Sequence, residues 1–217
     1  MSLTGPRILP RSGEAPKQLV MILHGYGADG NDLIGLGHHW AGLMPDAQFF
    51  APNAPTRCAQ NPFGYEWFPL DFDRMVESVA MGAPMARDAV ADALAEVWAQ
   101  TGLGPAQTLL VGFSQGAMMA LHTGLSLPEP VRGIVSFSGA LVPPPGLGAV
   151  KPPVCLVHGD LDTVVNPGLT AEAAAALQAA GFDVQVHLSP GTAHGIAPDG
   201  LEFATRFILD RLAAASN

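Results

Sequence analysis

Three short segments carry the residue types of nucleophilic catalysis, each in a setting where a loop is expected. GFSQG at 112–116 presents Ser114 between two glycines, HGDLDTVV at 158–165 offers Asp160 and Asp162, and PGTAHGI at 190–196 offers His194. A serine hydroxyl attacks a carbonyl only when a base takes its proton, and that base needs an acid to orient it. GFSQG leaves a strand-like run at 107–113 and enters the helical pattern AMMALHTGL. A turn this sharp strains its central residue and has no room for side chains two positions before and after it. The serine hydroxyl would then project at the carboxyl edge of a sheet, where the N–H groups of the following helix favour developing negative charge. The bland alternative is a chance turn. Three residues in the order Ser, Asp, His, each past the end of a strand, argue against it. Asp160, beside Gly159, suits a turn; Asp162 lies further out and has the better reach.

A fourth segment, LHGYGADGND at 23–32, contains G-x-G-x-x-G as Gly25, Gly27 and Gly30. A dinucleotide-binding turn also needs an acidic residue about twenty residues on, at the end of the second strand. That region reads FFAPNAP, without a carboxylate. Asn31 and Asp32 read as helix N-caps, which would start the helix later than a dinucleotide turn requires. Acyl transfer instead needs backbone donors around a tetrahedral oxyanion, one from the residue after the nucleophile and one from a glycine-rich loop after an earlier strand. Those residues are Gln115 and Tyr26.

The elements that must position these groups alternate. Strands are expected at 18–23, 47–51, 107–113, 131–137, 153–158 and 183–188, several apolar throughout, as parallel strands covered on both faces are. Helices are expected at 83–100, with Met85, Ala89, Ala93 and Val97 on the buried face, at 169–180 before Gly181, and at 199–214. The order implies an α/β protein with a mostly parallel, doubly wound sheet in a single domain spanning 1–217.

A net charge of −9 with ten Lys and Arg leaves no basic surface for nucleic acid or anionic lipid. No apolar run approaches a membrane span, no secretory h-region is present, and two cysteines make no disulfide framework. The default expectation is a cytoplasmic protein without stable membrane insertion. His38 and His39 are adjacent on a helix and point apart, and no H-E-x-x-H or C-x-x-C occurs, so no metal is assigned.

The pieces LHGYGADGNDL, APNAP, Trp67–Phe68, GFSQGA, FSGAL, HGDLDTVV and GTAHGI, in that order along nearly the whole chain, resemble the carboxylesterase, acyl-protein thioesterase and lysophospholipase family of α/β hydrolases. The resemblance implies Ser114 as nucleophile, Asp162 as acid and His194 as base, with the Tyr26 and Gln115 N–H groups as oxyanion donors. It implies no cofactor and, as often in the family, a homodimer. Tyr26 stands where eukaryotic thioesterases commonly carry leucine, so the chain looks closer to the bacterial esterases.

The segment 138–153 is too short for a cap domain, so an open groove is expected. The long connection 52–82 is the natural source of its walls: Trp67, Phe68 and Phe63 as acyl-binding residues, with Met75 and Met81 as a deformable floor. Phe63 and Phe72 serve equally well as anchors of the loop on the core. His24 is expected to brace the oxyanion loop and His158 to be structural. The expected activity is hydrolysis of carboxylic esters, extending to thioesters, through an acyl-enzyme. Long-chain lysophospholipase or acyl-protein thioesterase activity is the alternative. A non-catalytic binding protein on the same fold is the reading of another class.

Overall fold

The computed structural model describes residues 2–213. A seven-stranded sheet in the order β1-β3-β2-β6-β7-β8-β9 runs through them. Its strands are β1 (Arg7–Ile8), β2 (Gln18–Leu23), β3 (Ala47–Phe50), β6 (Thr108–Phe113), β7 (Gly133–Phe137), β8 (Val154–Gly159) and β9 (Val184–Ser189), while β4 (Thr56–Arg57) and β5 (Tyr65–Glu66) pair as a separate hairpin. Only β1, on the edge against β3, is antiparallel within the main sheet. All six expected strands are present, shifted by at most two residues at either end; β1 and the hairpin, two residues per strand, are additions. The helices are α1 (Gly30–Trp40), α2 (Met75–Thr101), α3 (Gln115–Gly124), α4 (Gly168–Ala179) and α5 (Pro198–Ala213). Ala214, the expected end of the last helix, lies outside the described residues.

Alternation along each strand sorts the core into two layers. Leu19, Met21 and Leu23 of β2 face α2, α3 and α4, where Val90, Leu94, Met119 and Leu177 are buried. Val20 and Ile22 face the opposite way, against Trp40 of α1 and Phe207 and Ile208 of α5. Every strand except β1 in the main sheet points the same way, so the loops after β2, β6, β8 and β9 open on one edge. This is the α/β-hydrolase architecture. The segment 138–153 holds neither helix nor strand, and among the described residues no cap covers that edge.

Three expectations fail. Helix α2 begins eight residues before the expected start, and Pro84 lies inside it. The early turns are held by packing: Gly82 sits against Phe68, whose side-chain carbons lie 2.3–2.6 Å from where a Cβ would be, and Val79 and Ala83 are buried beside it. Met85, expected on the buried face, is 81% exposed. Helix α1 starts at Gly30 itself, capped by Asp29, with Asp29 and Asp32 forming a reciprocal capping box. The later start expected from Asn31 and Asp32 as caps is therefore overturned. Gly30 is required there because a Cβ would lie 2.0 Å from the Ala51 carbonyl oxygen.

Candidate active site

Ser114 stands between β6 and α3 with φ 54° and ψ −119°, a left-handed conformation that non-glycine residues rarely hold. Its N–H donates to Phe137 O at 2.9 Å, and its carbonyl accepts from Ala117 and Met118 at 3.0 and 3.1 Å. The flanking glycines are required by close approach. A Cβ on Gly112 would lie 2.2 Å from Gly116 O, and one on Gly116 would lie 2.0 Å from Leu23 O. The strained serine is thus clamped by β6 and α3 on one side and β2 on the other.

Asp162 and His194 come together from the loops after β8 and β9. His194 Nδ1 is 2.7 Å from Asp162 Oδ2, while Asp162 Oδ1 accepts from the N–H groups of Val164 and Val165 at 2.8 and 2.9 Å. The Asp162 side chain is fully buried. Burial works against its charge, but His194 and the Val165 and Val164 N–H groups outweigh it, and the carboxyl is held below the usual carboxylate range. The His194 ring packs on Phe113, the residue before Ser114, with centroids 4.8 Å apart. Ser114 and His194 line one cavity. Asp160 is elsewhere engaged: its Oδ1 accepts from Gly191 N at 2.7 Å and so shapes the turn leading to His194.

The loop 25–28 lies beside the serine. A Cβ on Gly25 would approach Ser114 Cβ to 3.4 Å, and Gly27 has φ 74°, a value that suits glycine. The hairpin laces the loop in place. Gly27 N donates to Tyr65 O, Tyr65 N to Ala28 O and Asn61 Nδ2 to Gly27 O, at 2.9, 2.8 and 2.8 Å. Gln115 occupies the first position of α3, where an N–H has no partner within the helix. Burial, with Cys58 and Glu66 adjacent, pushes the Tyr26 phenol up, so its hydroxyl stays protonated.

A cavity of about 370 Å³ opens over Ser114 and His194, walled by Leu33, Leu70, Met75, Phe113, Met118, Val164 and Val165. None of the three aromatics expected in the acyl pocket lines it. Trp67 is buried beneath the loop, where its Nε1–H donates to His24 O at 2.9 Å and its N–H donates to Gln115 Oε1 at 3.0 Å. Phe68 fills the space left by Gly82, and Phe63 is 86% exposed at the hairpin tip. Of the two expected methionines, Met75 reaches the cavity and Met81 is 72% exposed; the Phe72 side chain lies outside the described residues. Leu33, Leu70 and Met118, which the sequence does not single out, come from α1, the segment before α2 and α3, with no shared motif.

The buried network under the loop has a titration consequence. His24 Nδ1–H donates to Gly25 O, and its Nε2 accepts from Ala54 N at 3.0 Å, as a neutral ring does. Burial holds both His24 and His158 below the usual histidine range, despite the acceptors beside them. In the unfolded chain both titrate near about 6.5. The stability that these neutral rings contribute is therefore full above that pH and is lost as pH falls toward their depressed folded values. Urea midpoints measured from pH 7.5 to pH 5 are expected to fall, and to fall less steeply in His158→Gln, which lacks one of the two sites. Parallel curves would contradict this.

His122 and His187 also gain partners that the sequence does not reveal, His122 at Val142 O and His187 at Asp199, 2.9 and 2.7 Å away. Among the described residues no group of three or more His, Cys, Asp or Glu is placed to hold a metal ion.

Residues 6–211 match the phospholipase/carboxylesterase family. The chain is 29% identical over 193 residues to the esterase YpfH of Escherichia coli K12, covering 87% of this chain and 80% of that protein. It is 31% identical over 216 residues to acyl-protein thioesterase 1 of Saccharomyces cerevisiae, covering 91% and 94%. Among solved structures, the esterase PE8 superposes with a TM-score of 0.93 at 53% identity, covering 97% of this chain and 99% of that one. A strained serine at a strand-to-helix turn, a histidine on a buried aspartate and a family match over nearly all the chain agree: this protein belongs to the phospholipase/carboxylesterase family of α/β hydrolases.

Proposed function

We propose that this protein hydrolyses small carboxylic esters, and thioesters of similar acyl groups, through an acyl-enzyme on Ser114. The observation that carries this reading is Ser114, held in left-handed geometry, facing the same cavity as a His194 hydrogen-bonded to a buried Asp162. Ser114 Oγ attacks the acyl carbonyl as His194 Nε2 takes its proton. Asp162 accepts from Nδ1–H, fixes the tautomer and stabilises the imidazolium that forms. The N–H groups of Tyr26 and Gln115, the latter at the positive end of α3, stabilise the oxyanion. His194 returns the proton to the leaving alcohol or thiol, and a water activated by the same ring releases the acid.

The apolar cavity walls suit a short to medium acyl chain, and among the described residues nothing caps the site against a varied leaving group. An adjoining groove of about 60 Å³ beyond Met75 and Met118, bounded by Val79, Leu141 and Leu169, is the feature that favours a longer chain. Each buried methylene contributes about 0.8 kcal/mol, so kcat/KM is expected to rise with acyl length until the chain outgrows the cavity. Initial rates on p-nitrophenyl esters from acetate to palmitate test this. A maximum at short or medium chains supports the small-ester assignment. A maximum at palmitate contradicts it and moves the assignment to lysophospholipid or acyl-protein substrates.

Other parts of the reading rest on composition and resemblance. No helix among the described residues is long and apolar enough to cross a membrane; a cytoplasmic location fits the two buried, unpaired cysteines. The net charge of −9 supports a small-molecule substrate over nucleic acid. A homodimer is supported by the family resemblance alone.

A further inference from the structure

His158, at the carboxyl end of β8, takes part in no proton transfer of the proposed reaction, yet it reaches the acid directly. Its Nε2 lies 3.1 Å from Asp162 Oδ2 and 3.0 Å from Val165 O. Both of those atoms are acceptors, so Nε2 carries the proton. Its Nδ1 lies 2.7 Å from the Thr170 hydroxyl, which donates to it. The ring is thereby satisfied as one neutral tautomer, and burial keeps it neutral. The side chains of His158 and Asp162 are both fully buried. The titratable groups facing it are Asp162 and, beyond that, His194.

The four hydrogen bonds to Asp162 divide evenly between its oxygens. Oδ1 accepts from two backbone N–H groups, and Oδ2 accepts from His194 Nδ1 at 2.7 Å and from His158 Nε2 at 3.1 Å. A carboxylate free to rotate could offer Oδ2 elsewhere; a second donor on that oxygen, mounted on a sheet strand, removes the freedom. We infer that His158 is a positioning residue for the acid–base pair: its Nε2–H, fixed by Thr170 and Val165, holds Asp162 Oδ2 against His194 Nδ1. The inference rests on the hydrolase reading and adds to it a second histidine on the same carboxylate oxygen, one that never exchanges its proton in the reaction.

The test is the pH dependence of kcat and kcat/KM on a p-nitrophenyl ester for wild type, His158→Leu, His158→Gln and Thr170→Val. In His158→Leu, kcat is expected to fall about tenfold at unchanged KM, equivalent to about 1.4 kcal/mol of transition-state stabilisation. The acid limb of kcat/KM is expected to move to lower pH, because a loosened carboxylate stabilises the His194 imidazolium less. His158→Gln, whose amide N–H can reach the same oxygen, restores most of both. Thr170→Val, which keeps the ring and frees its tautomer, shifts both in the same direction by less, and it remains informative if His158→Leu folds poorly. Wild-type kcat with an unmoved acid limb in both His158→Leu and Thr170→Val overturns the inference. So does a loss of activity with an unmoved limb and no rescue by glutamine, which marks general damage. Either result leaves the hydrolase reading intact, whereas wild type that fails to hydrolyse esters, or Ser114→Ala that hydrolyses them equally, sinks both.

Discussion

Ser114→Ala and His194→Ala are each expected to lower kcat on a p-nitrophenyl ester by roughly a millionfold, with the double variant falling no further. The non-additivity follows from the mechanism. Without the hydroxyl there is nothing for the base to activate, and without the base the hydroxyl is inert at neutral pH. Asp162→Asn is expected to cost less, about ten-thousandfold, because an amide can still occupy the buried site and accept from the Val164 and Val165 N–H groups. It can no longer stabilise a charged His194. Residual rate in all the variants is expected from the proposed oxyanion donors, which none of these changes touches. Equal, additive losses of tenfold or less in kcat would mean that the two side chains act independently, and the assigned roles would be wrong.

Gly116→Ala is expected to destabilise the fold by about 4 kcal/mol or more, the range reserved for changes that the packing cannot absorb. The new Cβ would meet Leu23 O at 2.0 Å and His24 O at 2.5 Å. Both are backbone atoms, of a central strand and of the residue opening the oxyanion loop, so neither can yield without moving the site. Gly35→Ala is the matched control: it lies within α1 with nothing inside 4 Å of the added carbon, and alanine is the better helix former by about 1 kcal/mol. Denaturant midpoints of the two variants are therefore expected to move in opposite directions. A Gly116→Ala protein with the wild-type midpoint would show that α3 does not press on β2 as described.

The two predictions share a cause that also explains which parts of the molecule can be read from its sequence. Where chemistry needs a backbone to pass within touching distance of another backbone, only glycine serves, and the requirement is visible in the chain. Gly112 and Gly116 around the serine are such places, while Gly27 in the neighbouring loop is needed for its positive φ. The loops that carry Asp162 and His194 are legible for a related reason, since each leaves a strand, apolar in β8 and alternating in β9, at a polar turn. The acyl cavity has no such signature. Apart from Phe113, Val164 and Val165, which flank the serine and the aspartate, its walls are single side chains from α1, the segment before α2, α2 itself and α3, brought together only by packing.

The aromatic pair Trp67–Phe68 misleads because a large ring serves as well beneath a site as within it. What places Trp67 underneath is the hydrogen bond from its indole to His24 O and the grip of Gln115 on both neighbouring backbone groups, through Trp67 N and Phe68 O. Gln115 thus connects the turn at Ser114 to the long connection by its side chain, while its N–H is the proposed oxyanion donor. Helix α2 is misjudged for a different reason. Gly82 and Pro84 are helix breakers by propensity, and the packing of Phe68 on Gly82 overrides them. The role of His158 is hidden in the sequence because a histidine at a strand end carries no spacing signal toward an acid that is reached only through the turn.

The central claim is that Ser114 is a nucleophile activated by its surroundings, and covalent trapping tests it most directly. The protein, incubated with a fluorophosphonate and followed by intact-mass spectrometry and peptide mapping, is expected to gain one phosphonyl group, located on Ser114. Ser114→Ala should gain none, and His194→Ala should gain it far more slowly. No adduct on the wild type would point to a non-catalytic binding protein on a hydrolase fold. An adduct mapped to a different serine would place the chemistry elsewhere and contradict the role assigned to Ser114.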